Sequence, residues 1–244
     1  ATFSKPLFAA EVSPAERQTK MGLESFQRGD FEQAVLNWTE ASQLYARGGD
    51  IPQQCQALVY LSQADQALGR YKEAGKNLES ALALAEKAGD RTQLASALGA
   101  LGNLYVATGP PDTAQKYLNE GLRVARELDN PALSAVILNN LGNALTVQKK
   151  YSEAVVTYSQ AVTLAESTKN PSLAARALTN ASAASMHNGQ YKEAKALLDK
   201  ALDQVRALET SHDKAAGLIN IGLAYSDLRS NLTEAEDSLF LAAY

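Results

Sequence analysis

The chain has 244 residues, 45% of them hydrophobic and only 7% aromatic; alanine and leucine dominate the apolar content, which suits a sizeable core of closely packed helices. Its 27 acidic and 23 basic residues are scattered, giving a formal net charge of −4 with no basic stripe for a phosphate backbone, so nucleic acid is excluded from the expected partners. No run approaches the roughly 18 uninterrupted apolar residues of a membrane span, and a single cysteine, Cys55, excludes an internal disulfide and a cysteine-based zinc cluster.

Residues 1–14 carry Phe3, Leu7 and Phe8 without helical periodicity and are interrupted by Pro6 and Pro14. They read either as the first residues after a cleaved export signal or as a leader before the fold, and export is slightly favoured over a cytoplasmic location. From residue 15 the chain repeats. Alanine stands at Ala34, Ala74, Ala114, Ala154, Ala194 and Ala235, at spacings of 40, 40, 40, 40 and 41. A small residue precedes each by 12 or 13 positions (Gly22, Ser62, Gly102, Gly142, Ser182, Gly222), and another follows each by 7 (Ala41, Ala81, Gly121, Ala161, Ala201, Ala242).

The units, in chain order, run over about 15–50, 51–90, 91–130, 131–170, 171–211 and 212–244, and each is expected to be a pair of antiparallel helices crossing at the small residues. Turn signals divide the first five: Gly29-Asp30, Gly69-Arg70, Gly109-Pro110, Lys149-Lys150 and Gly189-Gln190. Between units stand Gly49-Asp50-Ile51-Pro52, Gly89-Asp90, Asp129-Asn130-Pro131 and Lys169-Asn170-Pro171, where Asp or Asn caps the next helix and proline fits its first turn. The last unit ends in a crowd of apolar residues, Leu239, Phe240, Leu241 and Tyr244. A finished array ends in a polar cap, so this end is expected to continue into a longer protein or to be covered by a partner, a second copy included.

This pattern, most plainly LGNLYVATG at 101–109 and LNNLGNALTVQKKYSEAV at 138–155, resembles the tetratricopeptide repeat family across residues 15–244. The 40-residue pitch is similar to that of Pins-type polarity scaffolds and kinesin light chain. The resemblance implies an all-α, right-handed superhelical solenoid of about six helical hairpins, with the first helix of each hairpin lining a concave groove. Bacterial chains of this style also resemble the leader of CHAT-type proteases, which gives the alternative reading of a structural or regulatory arm of a longer protein.

Catalysis is not expected. The two histidines, His187 and His212, belong to no metal-binding pair. Cys55 lies three units from His187, Glu234, Glu236 and Asp237 read as a solvated face, and phosphate-binding glycine loops are absent. No cofactor or metal is expected.

The informative residues are asparagines inside helices, where asparagine is a mediocre former. Asn140, Asn180 and Asn220 stand two positions before the small residue; Asn103 and Asn143 stand one after it, with Gln63 in that slot of the second unit. The two slots are three residues apart and share a face. An amide offers a donor and an acceptor, as an extended peptide backbone does. In the resembling families asparagines at these slots clamp a bound main chain, and that role carries over to Asn140, Asn143, Asn180, Asn220 and Asn103. The competing reading is that the amides bond to a neighbouring repeat or to water. The same face is expected to display Tyr60, Gln66, Val106, Asn139, Thr146, Val147, Arg176, Met186 and His187, a surface suited to a neutral or mildly apolar peptide. Lys20 and Arg176 alone stand where a carboxylate clamp would need cations.

Overall fold

The computed structural model describes residues 12–209 and 212–242, with side chains described through residue 232 apart from those of 212 and 213. Eleven helices occur among the described residues: α1 (Pro14–Gln27), α2 (Phe31–Gly48), α3 (Ile51–Ala67), α4 (Tyr71–Ala88), α5 (Arg91–Thr108), α6 (Pro111–Glu127), α7 (Pro131–Val147), α8 (Tyr151–Ser167), α9 (Pro171–His187), α10 (Tyr191–Arg206) and α11 (His212–Ala242). The chain divides into two compact units, Ala1–Gln93 and Leu94–Tyr244. Phe3, Leu7 and Phe8 lie outside the described residues, as do the side chains of His212, Glu234 to Asp237 and Leu239 to Leu241, and Tyr244.

In the first unit, Ser13 and Glu16 close a capping box on α1: the Glu16 N–H donates to Ser13 Oγ at 3.1 Å, and the Ser13 N–H donates to Glu16 Oε2 at 2.8 Å. The Ser13 backbone N–H, followed by the Ser13 side chain, favours the ionised Glu16 carboxylate and holds its pKa below the usual value. Asp30 and Asp50 cap α2 and α3 through the N–H groups of Gln33 and Gln53, each at 3.2 Å. In the second unit Asn130 and Asn170 do the same for α7 and α9, accepting from Leu133 and Leu173 at 3.0 Å.

The repeated small residues are crossing points. A Cβ added at Gly22 would overlap the Trp38 ring; one at Gly102 would overlap Leu118, and one at Gly142 the Tyr158 ring. Ser62 and Ser182 are fully buried, as are Leu78 and Leu198, which hold the same period position as Trp38, Leu118 and Tyr158. Large side chains of the second helix thus seat on small ones of the first, which fixes each hairpin's close approach. Ala34, Ala74, Ala114, Ala154 and Ala194 are all at zero exposure for the same reason.

Two details depart from the sequence pattern. Gly109 does not take the left-handed cap conformation of Gly29 or Gly189 (φ 80° and 73°); its missing side chain makes room for the Tyr105 ring, and Pro110 follows. The sixth unit runs on as one continuous 31-residue helix, α11, where a hairpin turn is expected. Its turn slot holds Arg229, Ser230 and Asn231, with neither glycine nor proline, and all three are helical. Among the described residues, a Cβ added at Gly222, in the crossing slot, would accordingly meet nothing within 4 Å. The α11 helix is held instead through Ile221, Ala224 and Leu228, which pack against α9 and α10, and by Tyr225 Oη donating to Asp199 Oδ1 at 2.5 Å.

Candidate functional site

The candidate site is built on α7 and α9, whose asparagines are joined to one another. Asn180 Nδ2 donates to Asn139 Oδ1 and to Asn143 Oδ1, both at 3.2 Å. Asn139 Nδ2 donates in turn to Asn140 Oδ1 at 3.4 Å. The 40-residue period makes this possible: Asn140 and Asn180 are equivalent positions, so adjacent repeats bring one asparagine beside the pair a turn apart on the other. Asn139 is buried, while Asn140, Asn143 and Asn180 are half-buried.

A third helix enters the cluster. Tyr158 Oη, from α8, donates to Asn143 Oδ1 at 2.7 Å. Burial pushes the Tyr158 phenol up to about 12, so it remains a proton donor across the physiological range. Thr146 lies 3.2 Å from that hydroxyl and donates to the Gly142 carbonyl at 2.9 Å. Sequence reasoning confined to first helices passes over Tyr158. The available signal is that it alone among Trp38, Leu78, Leu118, Tyr158 and Leu198 carries a hydroxyl at the crossing position.

These bonds leave a defined set of groups. Among the described residues, the amide nitrogens of Asn140 and Asn143 and the amide oxygen of Asn180 have no hydrogen-bond partner. One half-buried patch therefore presents two NH2 donor groups and a carbonyl acceptor, the kinds of group an extended peptide backbone pairs with.

The other residues expected on this face are more dispersed. Asn103 is half-buried on α5 and Asn220 exposed on α11, and no bond joins either to the asparagine cluster. Arg176 is exposed on α9. Met186 is half-buried against the cluster of Ala194, Leu198, Ala224 and Leu228. His187 is exposed and stacks on Tyr151, ring centroids 5.0 Å apart. Val106 packs on the core of the second unit and Val147 is exposed.

In the first unit, Gln63 is exposed, Tyr60 stacks on Trp38 at 5.3 Å, and Gln66 Nε2 donates to the Ser62 carbonyl at 3.2 Å. Lys20 there pairs with Glu24 at 3.9 Å. Cys55 is buried, its Sγ–H donating to the Ala81 carbonyl at 3.5 Å, and burial pushes the thiol up, away from the reactive thiolate.

Two family models, each described as tetratricopeptide repeat, match residues 53–127 and 134–168. Over these two segments the chain carries tetratricopeptide repeats. Among solved structures, BtubC (BKLC) from P. vanneervenii is similar at 21% identity over 79% of this chain and 80% of that one, with a TM-score of 0.63. A putative kinesin light chain from Podosopora anserina, described as nearly identical TPR-like repeats, is 20% identical over 78% of this chain and 95% of its own, with a TM-score of 0.58. A Rap protein complexed with competence and sporulation factor superposes with a TM-score of 0.72 at 15% identity, over 93% of this chain and 67% of that one. At these identities the likeness is one of fold. No curated protein matches the sequence. Among the described residues no helix is long and apolar enough to cross a membrane.

Proposed function

We propose that this tetratricopeptide repeat protein binds another polypeptide as an extended segment laid over the amide patch of α7 and α9, and that its role is recognition rather than catalysis. The observation that carries the reading is the orientation of the asparagines. Asn180 spends both amide protons on Asn139 and Asn143, which fixes the amides in place and leaves Asn140 Nδ2, Asn143 Nδ2 and Asn180 Oδ1 for a main chain. Groups held rigid before binding lose little conformational freedom on binding. In a purely structural role these three atoms would be left to water, and the variants below separate the two readings.

The test is selection from a displayed random-peptide library on the whole chain, repeated with Asn140→Ala and Asn180→Ala. Enriched peptides should bind the wild type and lose at least about tenfold in affinity in either variant, with helicity unchanged. Peptides that bind all three proteins equally would overturn the assignment.

A second reading, an assembly or structural arm, is favoured by α11. Leu218 is 41% exposed, whereas Leu58, Leu98, Leu138 and Leu178, its period equivalents, are all below 9%. An apolar helix face of this kind is a contact surface.

A further inference from the structure

A cavity of about 440 Å³ lies in the second unit against α6, α7 and α8, and shares no residue with the amide patch. Its apolar lining comes from Pro131, Leu138 and Leu164. Ser134 also lines it; the residue is 3% exposed, and among the described residues its hydroxyl has no hydrogen-bond partner. Its oxygen is not sealed from solvent, so a molecule in the cavity can reach it. At the rim stand Arg126 and Asp129, three residues apart, and neither makes an ion pair among the described residues. Asp129 is held there by a left-handed turn, φ 49°.

The residues that line this cavity differ in the neighbouring repeats. Forty residues on, Arg126, Leu164 and Ser134 become Glu166, Gln204 and Ala174. There Gln204 Nε2 donates to Glu166 Oε1 at 3.0 Å, tying together the two helices whose counterparts stay unlinked here. One repeat earlier, the Ser134 position holds the larger, apolar Leu94.

We propose that this cavity is a binding site for a free α-amino acid with an apolar side chain. The ligand's α-carboxylate pairs with the Arg126 guanidinium, its α-ammonium with the Asp129 carboxylate, and its side chain lies over Leu138 and Leu164 beside the Ser134 hydroxyl. Two opposite charges beside one apolar pocket match a zwitterion, and a volume of this order is typical of small-molecule sites. A peptide terminus offers only one of the two charges.

The test is titration of L-leucine and L-phenylalanine into the isotope-labelled full chain, followed by amide chemical shifts at residues 126–134 and 160–164. Leucinamide, N-acetyl-leucine and glycine serve as probes lacking the carboxylate, the ammonium charge and the side chain. Saturable shifts with leucine or phenylalanine are expected, weakened at least about tenfold for each of the three probes and in Arg126→Gln. Ser134→Leu should abolish them by filling the cavity; should that variant not fold, the exposed Arg126→Gln still decides. The proposal is overturned by absence of saturable shifts with either amino acid, by equal binding of the amide, or by undiminished binding in Arg126→Gln. A peptide-selection result at the asparagine patch bears on neither outcome, since no residue is shared.

Discussion

Asp65 shows how a single buried group sets a pH response. It lies on α3 at 4% exposure, accepting from Asn77 Nδ2 at 2.9 Å. Burial pushes its carboxyl above the usual carboxylate value, and the Arg70 charge and the Asn77 bond only partly counter this. The native state therefore holds the proton more tightly than the unfolded chain, so stability declines as pH rises from the unfolded carboxylate range through the raised native value. Asp65→Asn keeps an acceptor for Asn77 and removes the buried charge. At neutral pH the variant should unfold at higher temperature than the wild type, and the gap should close in acid. Thermal melts at pH 3.5 and 7 measure both; a variant less stable at pH 7 would show that Arg70 and Asn77 outweigh burial.

At the scale of the element, one repeat slot predicts opposite outcomes in two helices. Gly142 on α7 has the Tyr158 ring where a Cβ would go, whereas Gly222 on α11 has open space among the described residues. Gly142→Ala should destabilise the protein, overpacking of this kind costing about 1–3 kcal/mol with only part regained through helix propensity. Gly222→Ala should stabilise α11 by about 0.5–1 kcal/mol, the usual gain of alanine over glycine inside a helix. Urea unfolding of the two variants against the wild type reads both signs, and destabilisation by Gly222→Ala would mean the slot is occupied in solution.

The same contrast shows what the sequence made legible. The 40-residue pitch, the Asp and Asn caps and the small crossing slots follow from local chemistry repeated in phase, and they foretold the helical hairpins. The α11 helix was not legible as a single helix, because Gly222, Ala235 and Ala242 keep the period while the turn slot at Arg229 has lost its breaker. Nor could spacing alone show that Asn180 donates to both Asn139 and Asn143, since that depends on side-chain rotamers in two repeats and on a tyrosine from α8.

For the molecule as a whole, stability in a repeat array is a sum of hairpins and the interfaces between neighbours, so an element that does not bury its apolar face leaves an interface term unrealised. The α11 helix leaves Leu218, Ile219 and Leu223 at 41%, 63% and 62% exposure, around the open slot at Gly222. Water beside three such side chains favours any partner that covers them, and in a solution of this chain alone the available partner is another copy. Light scattering across a hundredfold concentration range should then show a mass rising above 26.0 kDa. Ile219→Lys with Leu223→Glu should hold it at the monomer, because a partner face would have to desolvate both charges. A wild-type chain monomeric throughout the range would exclude self-association and leave this face to a different partner. Unchanged peptide capture in the double variant would locate recognition away from α11, in keeping with the amide patch on α7 and α9.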